Sequence, residues 1–199
     1  MKLLKCLSRP LGFREGIIVV AVVTLAGSVA YVAPASGQAS GGVAPTYGIT
    51  LPQGYRDWTL ISVARVGGPL NDMRAKLGND VAIRAYRDGK LPFPDGTIIA
   101  RLAWNQSTSE ENNNAVRAVL ERGLGPDTAQ KVLAESFVAG APTNVQFMVK
   151  DSNKYGSTGG WGFAQFTDGK PDGEAVLKTC FACHAPAKDR DFVFTRYSR

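Results

Sequence analysis

The chain has 199 residues, 44% of them hydrophobic, with 23 Lys+Arg against 17 Asp+Glu and a formal net charge of +6. That length and apolar content allow one modest domain plus a leader, with a core that needs no disulfides. There is no long basic run and no basic stripe interleaved with aromatics, which argues against a nucleic-acid partner. Four of the positive charges and one of the negative lie in the first 39 residues, so the remainder balances 19 against 16.

Residues 1–16 carry Lys2, Lys5, Arg9 and Arg14 against Glu15, and an apolar run from Ile17 to Ala33 follows. A small-residue exit, APASGQASGG, comes next, with Ala33-Pro34-Ala35 as a cleavage-like site. This layout predicts a secretory signal over residues 1–39. An uncleaved anchor is the alternative, although the run falls short of the roughly 20 residues that a span needs. Residues 40–50 read as a flexible lead-in, and the domain is expected from Leu51-Pro52 over residues 51–199.

Within that domain, Trp58 to Val66 is rich in β-branched and aromatic types and predicts a strand. Asn71 reads as the N-cap of a helix from Asp72 to Arg87, where Met73, Leu77, Val81 and Ala85 recur at four-residue steps. Gly78-Asn79 weakens its middle. The Pro92–Gly96 turn signal leads into a strand over Thr97–Trp104, and Ser107–Asn114 reads as a polar loop. Helices are expected at Val116–Gly123 and Asp127–Phe137. Strands follow at Val145–Lys150 and Trp161–Thr167, paired as neighbours. A short helix covers Asp172–Cys183, and Phe192–Arg196 reads as a last strand. The mixture predicts an α+β fold: a mainly antiparallel β-sheet with flanking short helices in a single domain.

The only histidine, His184, closes Cys180-Phe181-Ala182-Cys183-His184. Cys-x-x-Cys-His is the attachment pattern of a c-type haem, with two thioether-forming thiols and an imidazole for the iron. Cys6 lies in the leader, so Cys180 and Cys183 are the rest of the cysteine inventory and leave no disulfide framework. A thioredoxin-like pair would open a helix in a βαβ context, which the sequence lacks. A zinc site needs a fourth ligand, for which only Asp189 or Asp191 lies nearby. The expectation is therefore one covalently attached haem c, held by Cys180 and Cys183, with His184 as proximal ligand. No second histidine exists and no methionine follows Cys183. Met73 and Met148 fit apolar packing positions. An iron with an open or exchangeable sixth position is favoured over the closed site of a simple electron carrier. Aromatic residues are plentiful for a distal wall, Phe93 and Phe137 among them.

Four stretches carry a resemblance: GYRDW (54–58), LGNDVAIRAYRDGKLPFPDGTIIARLAW (77–104), VQFMVKDSNKYGSTGGWGFAQFTDGK (145–170) and CFACH (180–184). Together they resemble the cytochrome P460 and cytochrome c′-β family. The resemblance implies a mainly antiparallel β fold, a homodimer, and a periplasmic high-spin haem with His184 as its one protein ligand. One branch of the family oxidises hydroxylamine, with NO as a partner, to nitrous oxide and carries a lysine–haem cross-link after the PDGT turn. The other lacks the cross-link and binds NO and CO in an apolar pocket. Here Arg101 and Asn105 stand where that lysine is sought, and no lysine occurs from Leu91 to Gln130, a departure from the cross-linked branch. Lys150 and Lys154 are expected to be solvated. Arg101 becomes a candidate partner for a haem propionate or a bound ligand. Glu135 becomes the candidate proton acceptor that hydroxylamine oxidation would use.

The expected function is a periplasmic mono-haem cytochrome that binds NO or related small nitrogen oxides. Hydroxylamine oxidation is the first alternative, and plain electron transfer to a redox partner protein is the second.

Overall fold

The structure, a computed structural model, describes residues 47–198. The expected signal over residues 1–39 and most of the lead-in lie outside the described residues. Six strands form one antiparallel meander in sequence order: β1 (Thr59–Val66), β2 (Asp72–Gly78), β3 (Ile98–Ser107), β4 (Val138–Lys150), β5 (Trp161–Thr167) and the two-residue β6 (Lys170–Pro171). Four helices flank it: α1 (Asp80–Asp88), α2 (Glu110–Leu124), α3 (Pro126–Ala134) and α4 (Glu174–His184). The α+β, mainly antiparallel single domain expected from the sequence is the fold observed.

The helix expected over 72–87 divides into two elements. Residues 72–78 form β2, because Asp72, Arg74 and Lys76 alternate with Met73, Ala75 and Leu77, a two-residue period that overrides the four-residue one. Gly78 allows the break. A Cβ there would lie 2.9 Å from both Ala82 Cβ and Ile61 Cδ1. Asn79, not Asn71, is the N-cap: its side-chain oxygen accepts from Ala82 N at 3.0 Å and from Ile98 N at 3.1 Å.

The loop expected at 107–114 is largely helix. Ser109 caps α2 by accepting from Asn112 N, and two glutamates lie in its first turn, where the helix dipole favours them. No residue of α2 is buried, so apolar periodicity gave no signal for its first turns. α3 stops at Ala134 rather than Phe137, and β4 starts at Val138, seven residues before the expected strand. Phe192–Arg196 joins no strand. It is held singly, with the Tyr86 hydroxyl donating to Thr195 O at 3.2 Å, and is followed by Ser198 N donating to Ile61 O at 2.9 Å.

The sheet is apolar on both faces, in two clusters. Leu77, Ala100, Leu102, Val145, Phe147 and Phe166 form one, covered by Ile49, Tyr55 and Trp58. Phe147 there meets the rings of Tyr55 and Phe166 edge-on at 5.3 and 5.9 Å, a favoured aromatic geometry. The docked chain thus begins before Leu51, since Ile49 is buried and Tyr47 O accepts from the Tyr155 hydroxyl. Ile61, Ile83, Phe93, Ile99, Trp161, Phe163 and Val193 form the other cluster, beneath α1 and beside α4. This second face also carries the functional cavity.

Candidate functional site

α4 is anchored by Leu177, which is 1% exposed. Three residues further on comes Cys180, half-buried, and then the exposed Cys183, so the two thiols share one helix face. The motif occupies the last turns of α4, whereas a redox pair would open a helix. Burial, then the neighbouring Cys183, pushes the Cys180 thiol up, opposite to an activated thiolate. A zinc site is also disfavoured. Asp189 is exposed, the Asp191 carboxylate is committed elsewhere, and among the described residues no group of three or more His, Cys, Asp or Glu could hold a metal ion.

The His184 ring is flanked by Phe163 at 5.2 Å and Phe194 at 5.1 Å. Its Nδ1 lies 2.7 Å from Phe192 O. A carbonyl can only accept, so Nδ1 carries the proton and the Nε2 lone pair is left free.

Cys180, Cys183 and His184 line a cavity of about 800 Å³, within the ~300–1,000 Å³ of small-molecule and cofactor sites. Its other wall is the sheet. The strand register sets the chemistry in rows. Ile99, Met148 and Phe163 stand side by side on β3, β4 and β5, giving an apolar row next to His184. Two residues further along the strands, Lys76, Arg101, Gln146 and Gln165 form a polar row, with Gln146 bonded to Gln165. Beyond it stand Arg74, Asn144 and Asp72. Asp72 accepts from Arg74 Nε at 2.8 Å and from an Arg101 terminal nitrogen at 2.9 Å, and Arg101 also donates to Asn144 at 3.1 Å. Burial pushes the Lys76 ammonium down, helped by Arg74 and Arg101 and opposed by Asp72. Burial likewise lowers Arg101, with Arg74 adding to it.

Three cations against one carboxylate make this end of the cavity seek an anion. Arg101 Nε is buried without a partner, an unmet donor that costs free energy unless a bound group satisfies it. Two thiols, a free imidazole nitrogen, an apolar strip and a cationic end with an unmet donor fit an apolar plate with carboxylates on one edge, which is the outline of a haem.

Of the sequence candidates, Cys180, Cys183, His184 and Arg101 come together in this cavity. Three others do not. Glu135 is exposed at the C-terminal end of α3. Phe137 lies beneath the Arg65 guanidinium at 4.4 Å. Phe93 packs in the core against Tyr86 at 5.0 Å and Trp161 at 5.9 Å. Sequence reasoning missed Asp72, Arg74 and Lys76 as lining residues. Their every-second-residue charge alternation was the available signal.

The expectation of a solvated Lys150 fails. It is 5% exposed, and its Nζ lies 2.7 and 2.9 Å from the Asp191 carboxylate oxygens and 3.0 Å from Gly159 O. Lys154 is exposed. Asp191 and Phe192 are both left-handed, with φ of 52° and 64°. Each such non-glycine residue costs on the order of 1–3 kcal/mol, which surrounding contacts must offset.

A search of curated proteins found no match. The family model for cytochrome P460 matches residues 52–195. That match spans far more than half of the sequence, so the chain belongs to the cytochrome P460 family, a membership that implies a haem c cofactor.

Proposed function

We propose that the protein is an exported, periplasmic mono-haem c-type cytochrome whose open distal face binds NO or a related small nitrogen oxide. Cys180 and Cys183 would hold the haem through thioethers, and His184 would ligate it through Nε2. When bound, the haem supplies an iron that takes diatomic ligands and changes oxidation state. The chain's own residues do the rest. Phe192 O holds the Nδ1 proton and fixes the ring plane. Ile99 and Phe163 keep water from the apolar row. Arg74, Lys76 and Arg101 offer donors to negative charge on the cofactor edge or the ligand. Assembly as a homodimer, and exchange of electrons with a partner protein, belong to the same proposal.

The observation that carries this reading is the poverty of the cavity in second iron ligands. It contains no further imidazole, and Met73 sits on the opposite face of β2. Met148 is the one thioether in the wall, in the row between Ile99 and Phe163. The test is the absorption spectrum of haem-loaded protein. A high-spin ferrous spectrum that shifts with NO, and that Met148→Leu leaves alone, supports open ligation. A low-spin spectrum that Met148→Leu converts to high spin returns the protein to plain electron transfer.

Hydroxylamine oxidation remains a second reading, favoured by one observation: Asp72, 6% exposed, brings a carboxylate into the cavity. It takes over the proton-acceptor role first assigned to Glu135. Lys76 is the one lysine among the lining residues and lies directly across from Arg101. A ferrous Soret band far to the red, abolished by Lys76→Arg, would identify a modified macrocycle and shift the balance to the enzyme. Turnover of hydroxylamine with an electron acceptor tests the activity directly.

A further inference from the structure

We propose that the buried Lys150–Asp191 ion pair is a positioning device for His184. It locks the 191–192 turn so that Phe192 O stays on Nδ1, and thereby sets how strongly Nε2 donates to the iron. The inference rests on the haem reading above.

Contacts from three separate segments converge on Asp191. Its carboxylate accepts from Lys150 Nζ on β4 and from Phe93 N at 2.9 Å. Its backbone oxygen accepts from Trp161 Nε1 on β5 at 2.8 Å. The next residue, Phe192, is fixed from the same side. Lys150 Nζ also donates to Gly159 O, and a Cβ on Gly159 would lie 2.1 Å from the Phe192 ring. Both 191 and 192 adopt positive φ, which a phenylalanine rarely does. Such a conformation persists only where the surroundings over-determine it. The residue so constrained is the one whose carbonyl lies 2.7 Å from His184 Nδ1.

That hydrogen bond has a chemical effect. A proton held at Nδ1 by an acceptor makes Nε2 a better donor and fixes the ring orientation. Stronger donation favours the ferric over the ferrous state. An ion pair that only held the fold would change stability and leave the iron's electronic properties alone.

The test uses the full, haem-loaded chain. Asp191→Asn removes the charge but keeps a side chain that tolerates positive φ. The double variant Lys150→Met/Asp191→Asn leaves no lone charge buried. In both, the expected result is a higher ferric/ferrous midpoint potential and a lower iron–histidine stretching frequency by resonance Raman, with haem retained. Loaded variants matching the unmutated protein in both readouts overturn the inference. So does failure of both variants to fold, because the pair would then hold the whole domain and not the turn. Colourless unmutated protein would sink the haem reading, whereas coloured unmutated protein with unshifted variants sinks only the positioning role.

Discussion

Arg101→Met separates a structural arginine from one that awaits a partner. Removing the guanidinium loses a charged hydrogen bond to Asp72 and one to Asn144. Asp72 retains Arg74 at 2.8 Å, so no carboxylate is stranded. Both bonds have the guanidinium cation as donor, and a hydrogen bond with an ionised partner is worth about 1.5–3 kcal/mol. Arg101 is one-fifth exposed, so the lower end applies. Against that loss stands the unmet Nε, whose burial costs about 1–3 kcal/mol, and repulsion from Arg74 and Lys76. The terms offset in large part, so cofactor-free protein loses at most about 2 kcal/mol. If the bound haem supplies the acceptor for Nε, as proposed, removing the guanidinium from haem-loaded protein forfeits a further charged bond of about 1.5–3 kcal/mol. Urea unfolding of both forms measures the difference. An equal loss in the two forms, or a large loss without cofactor, would refute the assignment of Nε to the bound group.

Leu177→Ala opens a cavity where α4 meets the sheet and is expected to cost about 2–5 kcal/mol in urea unfolding; a change well under 1 kcal/mol would contradict the packing described. Asp95 accepts from Ser152 Oγ at 2.8 Å and Ser152 N at 2.9 Å, which hold its carboxyl below the usual 3.8. Its stabilising contribution is therefore present above pH 3.8 and lost as pH falls through the lowered folded value. Asp95→Ala should weaken the protein at neutral pH and converge with the unmutated chain in strong acid; a gap that persists there argues against the linkage. If hydroxylamine is turned over, Asp72→Asn should slow it by about a hundredfold or more, as removal of a general base does, while Glu135→Gln leaves it unchanged. The reverse order, read in steady-state rates, would restore Glu135.

Legibility in the sequence followed the range of the interactions concerned. The five-residue motif is local, and its helix was found to within a turn. β5 was read to the residue, because the aromatic-rich WGFAQFT is bracketed by Gly159-Gly160 and Asp168-Gly169. β2 was misread because DMRAKLG satisfies two periods at once. Its choice depends on pairing with β1 and β3, long-range contacts that no short window contains. Lys150 was misread for a similar reason. Its partner, Asp191, is 41 residues away, and nothing in MVKDS says that the lysine points inward. The distal candidates Phe93, Phe137 and Glu135 were chosen by position along the chain, whereas the cavity wall is set by strand register. Only Arg101 lay on both.

The pleat of β2, β3 and β4 lets the two sides of the sheet diverge independently. Positions 74, 76, 99, 101, 144, 146 and 148 contribute the chamber's chemistry, while 77, 100, 102 and 145 pack away from it. Charge, polarity and bulk around the cofactor can therefore be exchanged one alternate residue at a time while the opposite layer stays intact. Under the two readings proposed above, such a scaffold would move between gas capture and nitrogen-oxide turnover by point replacements, without remodelling the architecture around the cavity.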